Sequence, residues 1–189
     1  MNNSILWYAT RGAGVVSLLL LTVVVLMGIL AVLRFQTAGW PRFLSSALHR
    51  NLALLSIVFL VLHIVTAVVD PFTALGWNAV LIPFMSSYRR LWLGLGLVSL
   101  DLMLAIVATS LLRRFFGPQI WRLVHWLTYA AWPLALLHGI GTGSDTRFGW
   151  MVALNAACIA AVMLAIAFRL QSRFRKAPSR MLLAEVINQ

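Results

Sequence analysis

Residues 48–69 read LHRNLALLSIVFLVLHIVTAVV, an apolar run whose only ionisable residues are His49, Arg50 and His63. A helix rising ~1.5 Å per residue needs roughly 20 apolar residues to cross the hydrocarbon of a bilayer. This run is long enough, and it carries two imidazoles into the membrane. Four further stretches of similar character lie around it, at 12–33, 91–112, 123–140 and 150–168. The expected fold is therefore all-α, a polytopic membrane helix bundle with five transmembrane helices. The first span is too long for a signal-peptide core and is read as retained. Pro71, Gly76 and Pro83 argue against a spanning helix over 71–90, although 79–85 is apolar enough to lie at the interface or dip into it.

Composition agrees. Of 189 residues, 62% are hydrophobic and 10% charged, where soluble domains average about 25% charged. A large soluble catalytic domain is not expected within these 189 residues. The single cysteine, Cys158, excludes an intrachain disulfide and any multi-cysteine metal site. The net charge of +11 reads as basic loops facing the cytoplasm, not as a nucleic-acid footprint. Arg34, Arg42, Arg50, Arg113, Arg114, Arg122, Arg169, Arg173, Arg175, Lys176 and Arg180 fall on one side, against Arg11, Arg89, Arg90 and Arg147 on the other. Positive charge stays inside, so the N-terminus is expected outside and the C-terminus inside, in a multi-pass protein of the cell membrane. Trp40, Trp77, Trp92, Trp121 and Trp150 mark span edges as interface anchors.

All four histidines lie in the second and fourth spans: His49 and His63, His125 and His138. Ionisable residues inside a bilayer are costly and tend to be functional. The two spans run in the same direction, and their histidine spacings of 14 and 13 residues correspond to ~21 and ~20 Å of helix rise. At each of two depths a histidine on one helix can face one on the other. That is the arrangement for two bis-histidine b-type haems, since neutral imidazole is a natural axial ligand of haem iron. A tetrahedral zinc or copper site lacks further ligands at either depth. Two other readings stay open: hydrogen-bonded helix contacts in a haem-free scaffold or transporter subunit, and a quinol-linked cytochrome b. The register favours the first helix. Fourteen residues return to within ~40° of the starting face, whereas thirteen land ~140° away. Pro133, between His125 and His138, is the expected source of a distortion that re-aims His138.

A faint repeat links Leu33-Arg34, Trp40-Pro41 and Leu48-His49 to Leu112-Arg113, Gly117-Pro118 and Val124-His125. The histidine spacings resemble those of the ferric reductase-like transmembrane domain, a family that includes NADPH oxidases, ferric reductases and the haem subunit of the bacterial methionine sulfoxide reductase system. The strings His125-Trp126-Leu127, Trp132-Pro133, Leu137-His138-Gly139, Asp70-Pro71-Phe72 and Ile82-Pro83-Phe84 through Ser87-Tyr88-Arg89 are similar to those of short bacterial stand-alone members. The resemblance implies a haem domain over 1–170 and a short basic tail over 171–189. It implies two haem b groups, the inner iron on His49 and His125 and the outer on His63 and His138. The implied activity is transmembrane electron transfer, as the membrane subunit of an oxidoreductase.

Much of the family has six spans, and its oxidases carry flavin and nicotinamide domains. Here 169–189 follows the last span and contains no Gly-rich phosphate loop. Electrons are therefore expected from a separate cytoplasmic flavoprotein or reduced carrier, with any flavin supplied by or shared with that partner. Arg50 and Arg122 are the candidate inner partners for haem propionates, because a guanidinium fork suits carboxylates, and Arg89, Arg90 and Arg147 flank the outer depth. Asp101 is read as a structural hydrogen-bonding group reaching Asn155, with proton relay or haem tuning as the alternative. Residues 181–187 are read as a short surface helix for a partner.

Overall fold

The computed structural model describes the backbone of residues 3–71, 75–76 and 78–187, and the side chains of residues 5–71, 75–76 and 79–172. Its regular structure is helical throughout: α1 (Asn3–Leu33), α2 (Arg42–Val69), α3 (Asn78–Leu81), α4 (Arg90–Leu111), α5 (Pro118–His125), α6 (Thr128–Thr142), a 3-10 turn at Asp145–Arg147, and α7 (Gly149–Ile187). Among the described residues, four helices are long and apolar enough to cross a membrane: Ile5–Leu33, Arg42–Val69, Arg90–Leu111 and Gly149–Ser172.

The fourth expected span is divided into α5 and α6, and the division falls at Trp126 and Leu127, not at Pro133. Backbone hydrogen bonds there skip three residues: Leu127 N–H to Val124 at 3.0 Å, Tyr129 N–H to Trp126 at 3.1 Å and Ala130 N–H to Leu127 at 2.9 Å. The Thr128 hydroxyl takes the His125 carbonyl at 2.7 Å. Pro133 sits inside an unbroken α6. A 3-10 step turns ~120° against ~100° in an α-helix, so three such steps recover ~60° of the register mismatch between His125 and His138. This tightened turn, and not a break at the proline, supplies that part of the re-aiming.

α1 is the central helix. It packs on α2, α6 and α7, while α4 packs on α6. Leu18, Leu21, Val25 and Ile29 of α1 form one core with Trp132 and Leu136 of α6 and Cys158 and Val162 of α7. The buried Trp132 indole donates to the Thr22 hydroxyl at 3.0 Å, and that hydroxyl donates to the Leu18 carbonyl at 2.8 Å. Ser99 ties α4 to α6 through the Ala131 carbonyl at 2.8 Å. Thr22, Trp132 and Ser99 thus find partners inside the apolar layer, as burial requires. α2 offers little to this core; only Ser45 and Ser56 are buried along it, and no extensive contact joins it to α6.

Among its described residues, the segment after α2 holds no helix long enough to span. Its described part holds the four-residue α3, a buried Leu75, and left-handed backbone at Phe84 (φ 64°) and Arg89 (φ 40°). Phe84 lies over Gly94 at the start of α4, and Arg90 Nε donates to the Phe84 carbonyl at 2.6 Å. The segment thereby folds over one end of the bundle. Phe72 and Trp77, and the side chains of the tail, lie outside the described residues; the tail backbone continues α7.

Candidate functional site: two histidine pairs across α2 and α5–α6

The four histidines meet as two pairs. The His49 and His125 rings are 6.0 Å apart between centroids, and the His63 and His138 rings 6.2 Å. A metal–imidazole bond is ~2 Å and each ring centroid lies ~1 Å behind its nitrogen, so two imidazoles on one ion stand ~6 Å apart. Both pairs have that spacing. Among the described residues, no three His, Cys, Asp or Glu side chains gather to hold a metal ion. Each pair therefore offers two protein nitrogens, a donor set that fits an ion whose other positions a macrocycle fills.

Three of the histidines are seated alike. His63 Nδ1 bonds the Thr10 carbonyl at 2.8 Å, His49 Nδ1 the Val24 carbonyl at 2.9 Å, and His138 Nδ1 the Trp92 carbonyl at 2.9 Å. Because a carbonyl only accepts, each Nδ1 carries the proton and leaves Nε2 with a free lone pair, able to ligate a metal. Four residues beyond each carbonyl stands a glycine: Gly14, Gly28 and Gly96. A Cβ at Gly14 would lie 2.9 Å from His63 Nδ1 and one at Gly28 3.3 Å from His49 Cε1, while one at Gly96 would collide with the His138 ring. Glycine lets each imidazole lie against the neighbouring helix backbone.

His125 departs from the pattern: its Nδ1 is buried without a hydrogen-bond partner. Instead its ring stacks on Trp121, 5.0 Å between centroids at 23°. Trp121, expected only as an interface anchor, thus touches the site.

A cavity of about 440 Å³ reaches from the His63–His138 pair to the bundle end, lined by Gly14, Leu60, Gly96, Leu97 and Ala135 among others. Its size falls within the roughly 300–1,000 Å³ of ligand pockets. Two of its lining hydroxyls, Thr10 Oγ1 and Ser17 Oγ, are buried and unpartnered. The seats, the ring spacing and these orphaned groups together fit a bound haem.

Arg11 and Asp70 also line this cavity, and neither is among the residues expected at the site. Arg11 pairs with Asp145 and lies 4.1 Å over the Trp7 ring. Its signal was its position three residues before Gly14, which places both on one helix face. Asp70 is 1% exposed; an acid ending the apolar run of α2 was the available clue. By contrast, Arg89 donates to the Gly141 carbonyl, and neither it, Arg90 nor Arg147 lines the cavity. Arg50 and Arg122 are exposed at the His49–His125 end. Asp101 is exposed on α4, and Asn155 Oδ1 is buried without a partner. The contact expected between those two is therefore not made. A larger open groove, about 760 Å³, lies at the α1–α2 turn beside Arg34 and Arg42, and none of the histidines lines it.

No curated protein and no solved structure matches the chain. A family model does: the ferric reductase like transmembrane component, over residues 13–136. That match takes in both histidines of α2, His125, the tightened turn after it and all three seating glycines. On this match, which spans more than half of its length, the chain belongs to the ferric reductase-like transmembrane component family.

Proposed function

We propose that this protein moves electrons from one face of the cell membrane to the other through two b-type haems, one held by His49 and His125 and one by His63 and His138. The observation that carries the reading is the equal ring spacing, 6.0 and 6.2 Å, at two levels of the same pair of helical segments. Haem iron supplies reversible one-electron chemistry when bound. The residues of the chain do the rest. The Thr10, Val24 and Trp92 carbonyls fix the tautomer of three imidazoles and raise their basicity. With two imidazoles at each level, the chain would leave a bound haem iron no position for substrate, and the chemistry it would supply is electron transfer. Arg11 at one end, and Arg50 and Arg122 at the other, are the cations available to carboxylate edges.

In this reading five spans cross the bilayer, α5 and α6 together forming the fourth, with the N-terminus outside and the C-terminus inside. The His49–His125 pair is then inner and the His63–His138 pair outer. The donor is a cytoplasmic flavoprotein or reduced carrier, and the acceptor lies on the outer face.

The test is a haem count and an absorption spectrum of the purified chain. The expected result is about two haems per chain, both low-spin and reducible by dithionite. A chain that binds no haem, or only one, overturns the reading.

A further inference from the structure

The seat that His125 lacks can be located. On α1, Gly14 and Gly28 are 14 residues apart, each four residues after an accepting carbonyl. On α4, Gly96 repeats the first seat, and 14 residues beyond it stands Ser110, not glycine. The carbonyl four residues before Ser110, that of Ile106, accepts from the Thr109 hydroxyl at 3.1 Å. Ser110 puts a Cβ where the other seats have none, and a Cβ closes such a seat against an imidazole. The Ser110 hydroxyl accepts instead from Trp121 Nε1 at 3.3 Å. Trp121 is the ring on which His125 stacks, and the Arg113 guanidinium lies 4.2 Å from its centroid.

We infer that Trp121 is the positioning residue of the His49–His125 pair, orienting His125 by stacking where the other three histidines are oriented by a carbonyl. The inference rests on the haem reading above. Ser110 holds the indole by its N–H and Arg113 covers it, so the ring plane of His125 is set from α4 and α5 by way of the tryptophan. A stack fixes the plane of an imidazole but does not polarise its Nδ1–H, so the two sites differ in kind. A purely lipid-anchoring tryptophan would leave the ligand plane untouched.

The experiment uses the full chain with its haems, comparing Trp121→Leu, Trp121→Phe and Arg113→Gln by low-temperature EPR of the oxidised protein and by potentiometric titration. EPR of a low-spin ferric haem reports the relative orientation of its two imidazoles. Trp121→Leu is expected to shift or broaden one of two low-spin signals, the one that His125→Ala removes, and to move its reduction step. The second signal and step stay in place and show that the variant is folded. Trp121→Phe keeps both signals near their original positions, and Arg113→Gln gives a smaller shift in the same signal as Trp121→Leu. The inference is overturned if Trp121→Leu leaves both signals unchanged or disturbs both alike. Failure of the unmodified chain to show two low-spin signals would be a different result, overturning the haem reading and this inference with it.

Discussion

The two ends of the histidine ladder are built differently. At the His63–His138 end both rings bond backbone carbonyls and rest on glycines, and a cavity carries Arg11 and Asp70 in its wall. At the His49–His125 end one ring is seated in this way and the other stacks on a tryptophan among exposed arginines. Hydrogen bonding from a ligand imidazole raises its donor strength and restricts its rotation. The hydrogen-bond acceptors of the first pair are therefore backbone carbonyls, which no substitution deletes, although a larger side chain at a seating glycine can block the approach. The second depends on a side-chain assembly that substitution can dismantle.

The strongest way to break the comparison is to delete ligands. Loss of a metal ligand is among the substitutions with large effects. His63→Ala and His138→Ala should remove or perturb the same haem, and His49→Ala and His125→Ala the other. Each variant is expected to retain close to one haem by pigment assay. The two sites lie ~20 Å apart along the helices, beyond the distance at which substitutions usually couple. If His49→Ala produced the same residual spectrum as His63→Ala, the sites would run along one helix and the pairing would be wrong.

A sharper comparison grades the seats. Gly96→Ala forces a methyl group into the His138 ring, whereas Gly28→Ala brings one to 3.3 Å of His49. Overpacking of this kind costs about 1–3 kcal/mol. Gly96→Ala should therefore displace His138 and cut occupancy at its site severalfold, with a lower thermal midpoint, and Gly28→Ala should do less of both. Equal losses in the two variants, measured by haem content and thermal unfolding, would mean that the glycines do not act as seats.

The smallest effect is expected at the cavity mouth. Arg11→Gln removes the ion pair with Asp145, and partly exposed pairs of this type contribute roughly 0–1 kcal/mol. Haem content should persist. The reduction step of the His63–His138 site should move to lower potential, because a cation close to a ferric–ferrous couple favours the reduced form. A step that shifts at the other site instead would place Arg11 away from this cavity's occupant.

The sequence alone determined the helical bundle and the placing of its histidines in it. Runs of some twenty apolar residues have one solution in a bilayer, because only a helix satisfies its own backbone there. Two histidines on each of two such runs, 14 and 13 residues apart, then fix two depths. The sequence did not reveal that Gly14, Gly28 and Gly96 lie under imidazoles, or that Arg11 and Asp70 share a cavity with His63. Those contacts join helices 25 to 53 residues apart in the chain, and local periodicity carries no record of which helix faces which. The place of the turn after His125 was likewise visible only in the structure. Pro133 was the visible breaker, but a proline costs a helix only a hydrogen bond and a local clash, which α6 absorbs within its packed core. The tightening occurs where the Thr128 hydroxyl can take the carbonyl that the helix gives up.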